Sequence, residues 1–62
     1  MPWSEDYYPP AMARLHPLVR RKAIEIANAL LEEGHEEGFT IRVAIARAKE
    51  WARRRGLEPE LD

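Results

Sequence analysis

The chain has 62 residues, 45% of them hydrophobic and 34% charged, with a formal net charge of -1 and a pI near 6.1. That balance suits one small folded domain rather than a disordered tail, and it lacks the strong basic excess usual in nucleic-acid binders. Cysteine is absent, which excludes disulfides, thiolate zinc sites and cysteine nucleophiles.

Residues 1–16 are rich in proline and aromatics: Pro2, Trp3, Tyr7, Tyr8, Pro9 and Pro10. The opening run to Asp6 has no basic stretch followed by an apolar one, which predicts a cytoplasmic chain with no leader. Pro10 can start a short helical turn that must end before Pro17. Trp3, Tyr7, Tyr8, Met12 and Leu15 are expected to cover whatever core the helices leave open.

The first helix is predicted over 17–33. Its apolar arc holds Leu15, Val19, Ala23, Ile24, Ile26, Ala27, Leu30 and Leu31, with Arg20 the one charge inside it. Asn28 sits at the edge of that arc, where its side chain can hydrogen-bond the N-terminal segment. On the polar side, Arg21 and Glu25 stand four apart and are expected to pair. Pro17 suits the first turn, and Gly34 is a natural stop. The link Gly34-His35-Glu36-Glu37-Gly38 is short, which predicts antiparallel packing.

The second helix is predicted over 38–55, with Thr40 as the expected cap. Its arc is Ile41, Ala44, Ile45, Ala48, Trp51 and Ala52. The alanines at 44, 48 and 52 form a ridge that lets another helix approach closely. Gly56 reads as a left-handed cap and Pro59 prevents continuation, leaving 56–62 as a tail. The fold class expected is therefore all-α: a two-helix hairpin under an aromatic cover. No run is long and apolar enough to span a membrane.

Charge comes in alternating blocks. Arg14, Arg20, Arg21 and Lys22 are followed by Glu25, Glu32, Glu33, Glu36 and Glu37. Arg42, Arg47, Lys49, Arg53, Arg54 and Arg55 then surround the lone Glu50. A hairpin is expected to set these blocks side by side as complementary faces. Eight of the ten cations are arginine, a leaning seen in some thermophiles.

Several runs carry a resemblance. They are Met1-Pro2-Trp3, Tyr8-Pro9, Leu15-His16-Pro17, the stretch from Lys22 to Gly34, and the stretch from Val43 to Trp51. Together they resemble the N-terminal module of YdaT-like bacterial proteins. More distantly they are similar to the ChaB family, named for the regulation of cation transport. Ile26-Ala27-Asn28-Ala29 partly matches that family's Ala-Phe-Asn-x-Ala run. Val43 to Lys49 matches its Val-Ala-Trp-Ala-Ala-Val-Lys run with substitutions, Ile45 replacing the tryptophan. The resemblance implies a small helical fold and a regulatory rather than a catalytic role.

Reactive constellations are scarce. Ser4 and Thr40 are the only serine and threonine, and no histidine shares a helical register with either. His35-Glu36-Glu37 is the densest cluster of possible metal ligands, but neighbours in a loop do not converge on an ion. No catalytic residue, cofactor, metal or small-molecule substrate is expected. The leading expectation is a non-catalytic interaction module whose partner is another protein or a second copy of the chain. Leu18, Val43, Trp3, Tyr7 and Tyr8 are its candidate surface. The competing expectation is nonspecific nucleic-acid binding through Arg42, Lys49 and Arg53, with Arg47 and Arg54 on the flank.

Overall fold

A computed structural model describes residues 2–61; Met1 and Asp62 lie outside the described residues. A 3-10 turn at Pro10–Met12 is followed by helix α1, Pro17–Glu32, and helix α2, Glu37–Arg54. These bounds lie within one residue of those read from the sequence, and the class is all-α. Two isolated bridges, Ser4 with Tyr7 and Leu15 with Glu60, are the only β pairing among the described residues.

The helix ends follow from local chemistry. Pro17 gives α1 a first turn with no N–H to lose, and the Leu18 N–H donates to His16 Nδ1 at 3.2 Å. At the other end Gly34 takes φ 97°, its N–H donates to Leu31 O at 3.0 Å, and the His35 N–H donates to Leu30 O at 3.2 Å. The end of α2 repeats this pattern. Gly56 takes φ 71°, its N–H donates to Arg53 O at 3.1 Å, and the Leu57 N–H donates to Ala52 O at 2.9 Å. Both glycines hold backbone conformations that a side chain would strain.

The start of α2 corrects the expectation for Thr40. The Glu36 carboxylate accepts the Phe39 N–H at 3.3 Å, so the helix begins a turn earlier than a Thr40 cap would allow. Thr40 falls inside the helix, fully buried, and its Oγ1 has no hydrogen-bond partner among the described residues.

The alanine ridge of α2 does what its spacing implies. Ala44, Ala48 and Ala52 are fully buried, as are Val19, Ala23 and Ala27 of α1. Small residues on both helices bring the backbones close, so the hairpin contributes few large side chains to its own core. Met12, Leu15 and Trp3 from the cover complete the cluster, with Met12 fully buried. Burying a side chain of that size stabilises by about 1.5–3 kcal/mol.

Trp51 is a second correction. It is partly exposed and packs against the core cluster rather than within it. The close alanine contact leaves no slot for an indole, so the ring lies at the edge. Lys22 Nζ stands 5.5 Å and the Arg55 guanidinium 4.8 Å from its centroid.

The tail is not loose. The His16 N–H donates to Pro59 O at 2.9 Å, and the Leu61 N–H to Arg14 O at 2.8 Å. Glu60 Oε2 meets Lys49 Nζ at 2.8 Å, so residues 57–61 tie the cover to α2.

The charge blocks do not pair across the hairpin. Among the described residues no ion pair joins α1 to α2. Glu25 turns to Lys22 at 3.4 Å rather than to Arg21, and Arg21 turns to Glu5 at 3.9 Å. The helices meet through their alanine faces, so their charged faces point apart. The helix charges that do pair find partners on their own helix or on a terminal segment.

Candidate functional site

Two side chains of α1 hold the N-terminal segment. Asn28 Oδ1 accepts the Trp3 N–H at 3.2 Å, and Asn28 Nδ2 donates to Trp3 O at 3.0 Å. The amide thus satisfies both backbone groups of one residue, as a neighbouring strand would. Arg20, the charge placed inside the apolar arc, donates through Nη1 to Leu15 O at 3.1 Å and Ala13 O at 3.4 Å. Its guanidinium stands 4.8 Å from the Tyr8 ring centroid, and its Nε lies 3.8 Å from Glu5.

This clamp creates a groove of about 640 Å³ between residues 2–5 and the side of α1 that faces away from α2. Trp3, Ile24 and Leu31 give it an apolar floor, with Asn28 between the two aliphatic residues. Glu25 and Glu32 stand on the helix ridge and Glu5 on the opposite wall. Arg21 also lines the groove but is turned to Glu5. Glu32 has no cation partner among the described residues. An open apolar floor beside the carboxylates of Glu25 and Glu32 is suited to a helix with an apolar edge and cations along one side, Glu5 being taken up by Arg20 and Arg21.

The structure divides the expected interaction surface. Tyr7 is 72% exposed and Leu18 47% exposed, both away from the groove. Val43 and Tyr8 are half-buried, Tyr8 beneath Arg20. Trp3 is 8% exposed: Asn28 draws its backbone against α1 and the ring enters the core, as expected of the cover, while also lining the groove. Sequence reasoning missed Phe39, which is 40% exposed on α2 with its centroid 5.4 Å from the His35 ring. Its signal was available, since it precedes Val43 by one helical turn on the side opposite the alanine ridge.

The basic residues of α2 are placed on its outer side, but most are occupied. Glu50 stands between the two rows and reaches Arg53 at 3.6 Å and Arg54 at 3.3 Å. Lys49 is held by Glu60, and both the hydrogen bond and the charge of Lys49 keep the Glu60 carboxyl below the ordinary glutamate range. Arg42 and Arg47 have no carboxylate partner among the described residues.

Ser4 Oγ accepts the Asp6 N–H at 3.2 Å in an exposed turn. His35 Nε2 lies 3.6 Å from Glu33, while Glu36 is engaged as a cap. Among the described residues no group of three metal-capable side chains converges, and no helix is long and apolar enough to cross a membrane.

The molecule is thus a small all-α hairpin with a grooved outer face. A stretch of 52 residues is 54% identical to the "Uncharacterized protein YdaT" of Bacillus subtilis (strain 168). The match covers 84% of this chain and 35% of YdaT, so the chain is related to YdaT and spans about a third of its length. No family model matches the sequence, and no solved structure matches it.

Proposed function

We propose that the chain is a non-catalytic docking module that receives a helix from a protein partner in the groove between residues 2–5 and α1. The observation that carries this reading is the groove itself, an apolar floor of Trp3, Ile24 and Leu31 between carboxylates Glu5, Glu25 and Glu32. The partner chemistry follows: an amphipathic helix with one apolar edge and cations beside it. The ChaB-like resemblance, carried by packing residues, agrees with a regulatory role and supplies no site residue. Nucleic-acid binding through α2 is less well supported, because Glu50 and Glu60 occupy three of its five candidate cations.

The test is a titration with two synthetic helical peptides of equal apolar content, one with lysine and arginine flanks and one with glutamate flanks. The readout is Trp3 fluorescence in a Trp51→Phe background, which removes the second indole. The basic peptide should shift the Trp3 emission, and the acidic one should not. Glu25→Arg/Glu32→Arg should weaken the basic peptide at least tenfold, about 1.4 kcal/mol. Equal response to both peptides, or to neither, overturns the reading.

A further inference from the structure

The outer face of α2 carries an apolar row that its own fold leaves uncovered. Phe39 is 40% exposed, Val43 is half-buried and Ala46 is exposed. They follow one another at i, i+4 and i+7, so they form one stripe along the helix. Arg42 flanks the stripe on one side and Arg47 on the other, both without a carboxylate partner among the described residues. This is the chemistry that the α1 groove is suited to receive.

The dimensions agree as well. Phe39 and Ala46 are seven positions apart, as are Ile24 and Leu31, and seven positions along a helix cover about 10 Å. With the stripe laid on the groove floor, one flanking arginine meets Glu25 and Glu32 on the helix ridge, while Glu5 on the opposite wall is already shared between Arg20 and Arg21. We infer that the helix received by the groove is α2 of a second copy of this chain. This inference rests on the docking reading and names its partner.

The arrangement has a geometric consequence. No residue of α2 lines the groove, and the stripe lies on the side of α2 that faces away from α1. Donor and acceptor surfaces therefore lie on opposite sides of the molecule. A pair joined this way keeps one free groove and one free stripe, so the contact is head-to-tail and does not close as a two-fold dimer. The surface is small, so association is expected in the micromolar range or weaker.

Sedimentation velocity over a wide concentration range, with two charge-reversed variants, tests this. Glu25→Arg/Glu32→Arg spoils the groove, and Arg42→Glu/Arg47→Glu spoils the stripe. All four side chains are exposed, and circular dichroism checks that both variants keep the parent's helicity. The parent should grow in mass with concentration without stopping at a dimer. Each variant alone should associate at least tenfold more weakly. Mixed together, they should associate again: the intact stripe of the groove variant meets the intact groove of the stripe variant, and the two charge-reversed surfaces complement each other, so the two proteins can alternate along a chain. A parent that stays monomeric up to about 1 mM overturns the inference, as does a parent that plateaus at dimer or a mixture that associates no better than either variant alone. If the parent stays monomeric yet the basic peptide still binds the groove, self-docking falls and the docking module stands. If the peptide fails too, both fall.

Discussion

The hairpin and its cover are built by opposite means. In α1 and α2 periodicity does the work: alanines recur every turn, both ends close on glycines, and the contact follows from small residues facing small residues. The cover, residues 2–16, has no period. It is held by two polar side chains of α1, Asn28 and Arg20, which capture backbone groups, and by the tail that crosses it. Yet the cover supplies Trp3, Met12 and Leu15 to a core in which the hairpin's own side chains are mostly alanine. A narrow hairpin packs closely but encloses little, so the irregular segment provides much of the bulk.

That division can be broken first at Met12. It is fully buried, and Met12→Ala should cost about 2–5 kcal/mol, measured by denaturant unfolding. A loss well below that range would mean that the cover is not part of the core. Next comes the hairpin's own contact. Ala48→Leu places a large side chain on a ridge with no exposed surface and should cost about 1–3 kcal/mol. An unchanged melting temperature would show that the helices can separate to admit it.

Asn28→Ala sharpens the comparison. It strips Trp3 of two hydrogen bonds, and the freed segment must either leave buried backbone groups unpaired or lift away and lose the burial of the ring, a cost of about 1–3 kcal/mol either way. Helicity by circular dichroism should stay at the parent's level while Trp3 emission moves to the red. A parallel loss of helicity would show that the cover and hairpin form one inseparable unit.

The smallest effect belongs to the tail. The Glu60 carboxyl is held below its ordinary range by Lys49, so this pairing stabilises the fold at neutral pH and is lost as pH falls through the lowered value. Glu60→Gln should therefore melt slightly below the parent at pH 7 and level with it in acid. A gap that persists in acid would assign the tail's contribution to its backbone bonds instead.

The sequence by itself determined both helices, their stops, the alanine ridge, the short turn after Pro9 and the place of Asn28 against the incoming segment. Each is a local matter of period, proline, glycine or an edge position on a wheel, and local rules suffice for it. It also exposed the relation to YdaT-like chains. Only the tertiary structure decided that Glu36 rather than Thr40 caps α2, that Trp51 is marginal to the core, and that Glu50 and Glu60 occupy the basic face. The groove was equally hidden, since its two walls are distant in sequence and meet only through the Asn28 clamp. Periodicity states which side of a helix is apolar; it does not state how close the neighbouring helix comes. That distance, set by alanine against alanine, pushed Trp51 to the edge and left the outer faces of both helices open.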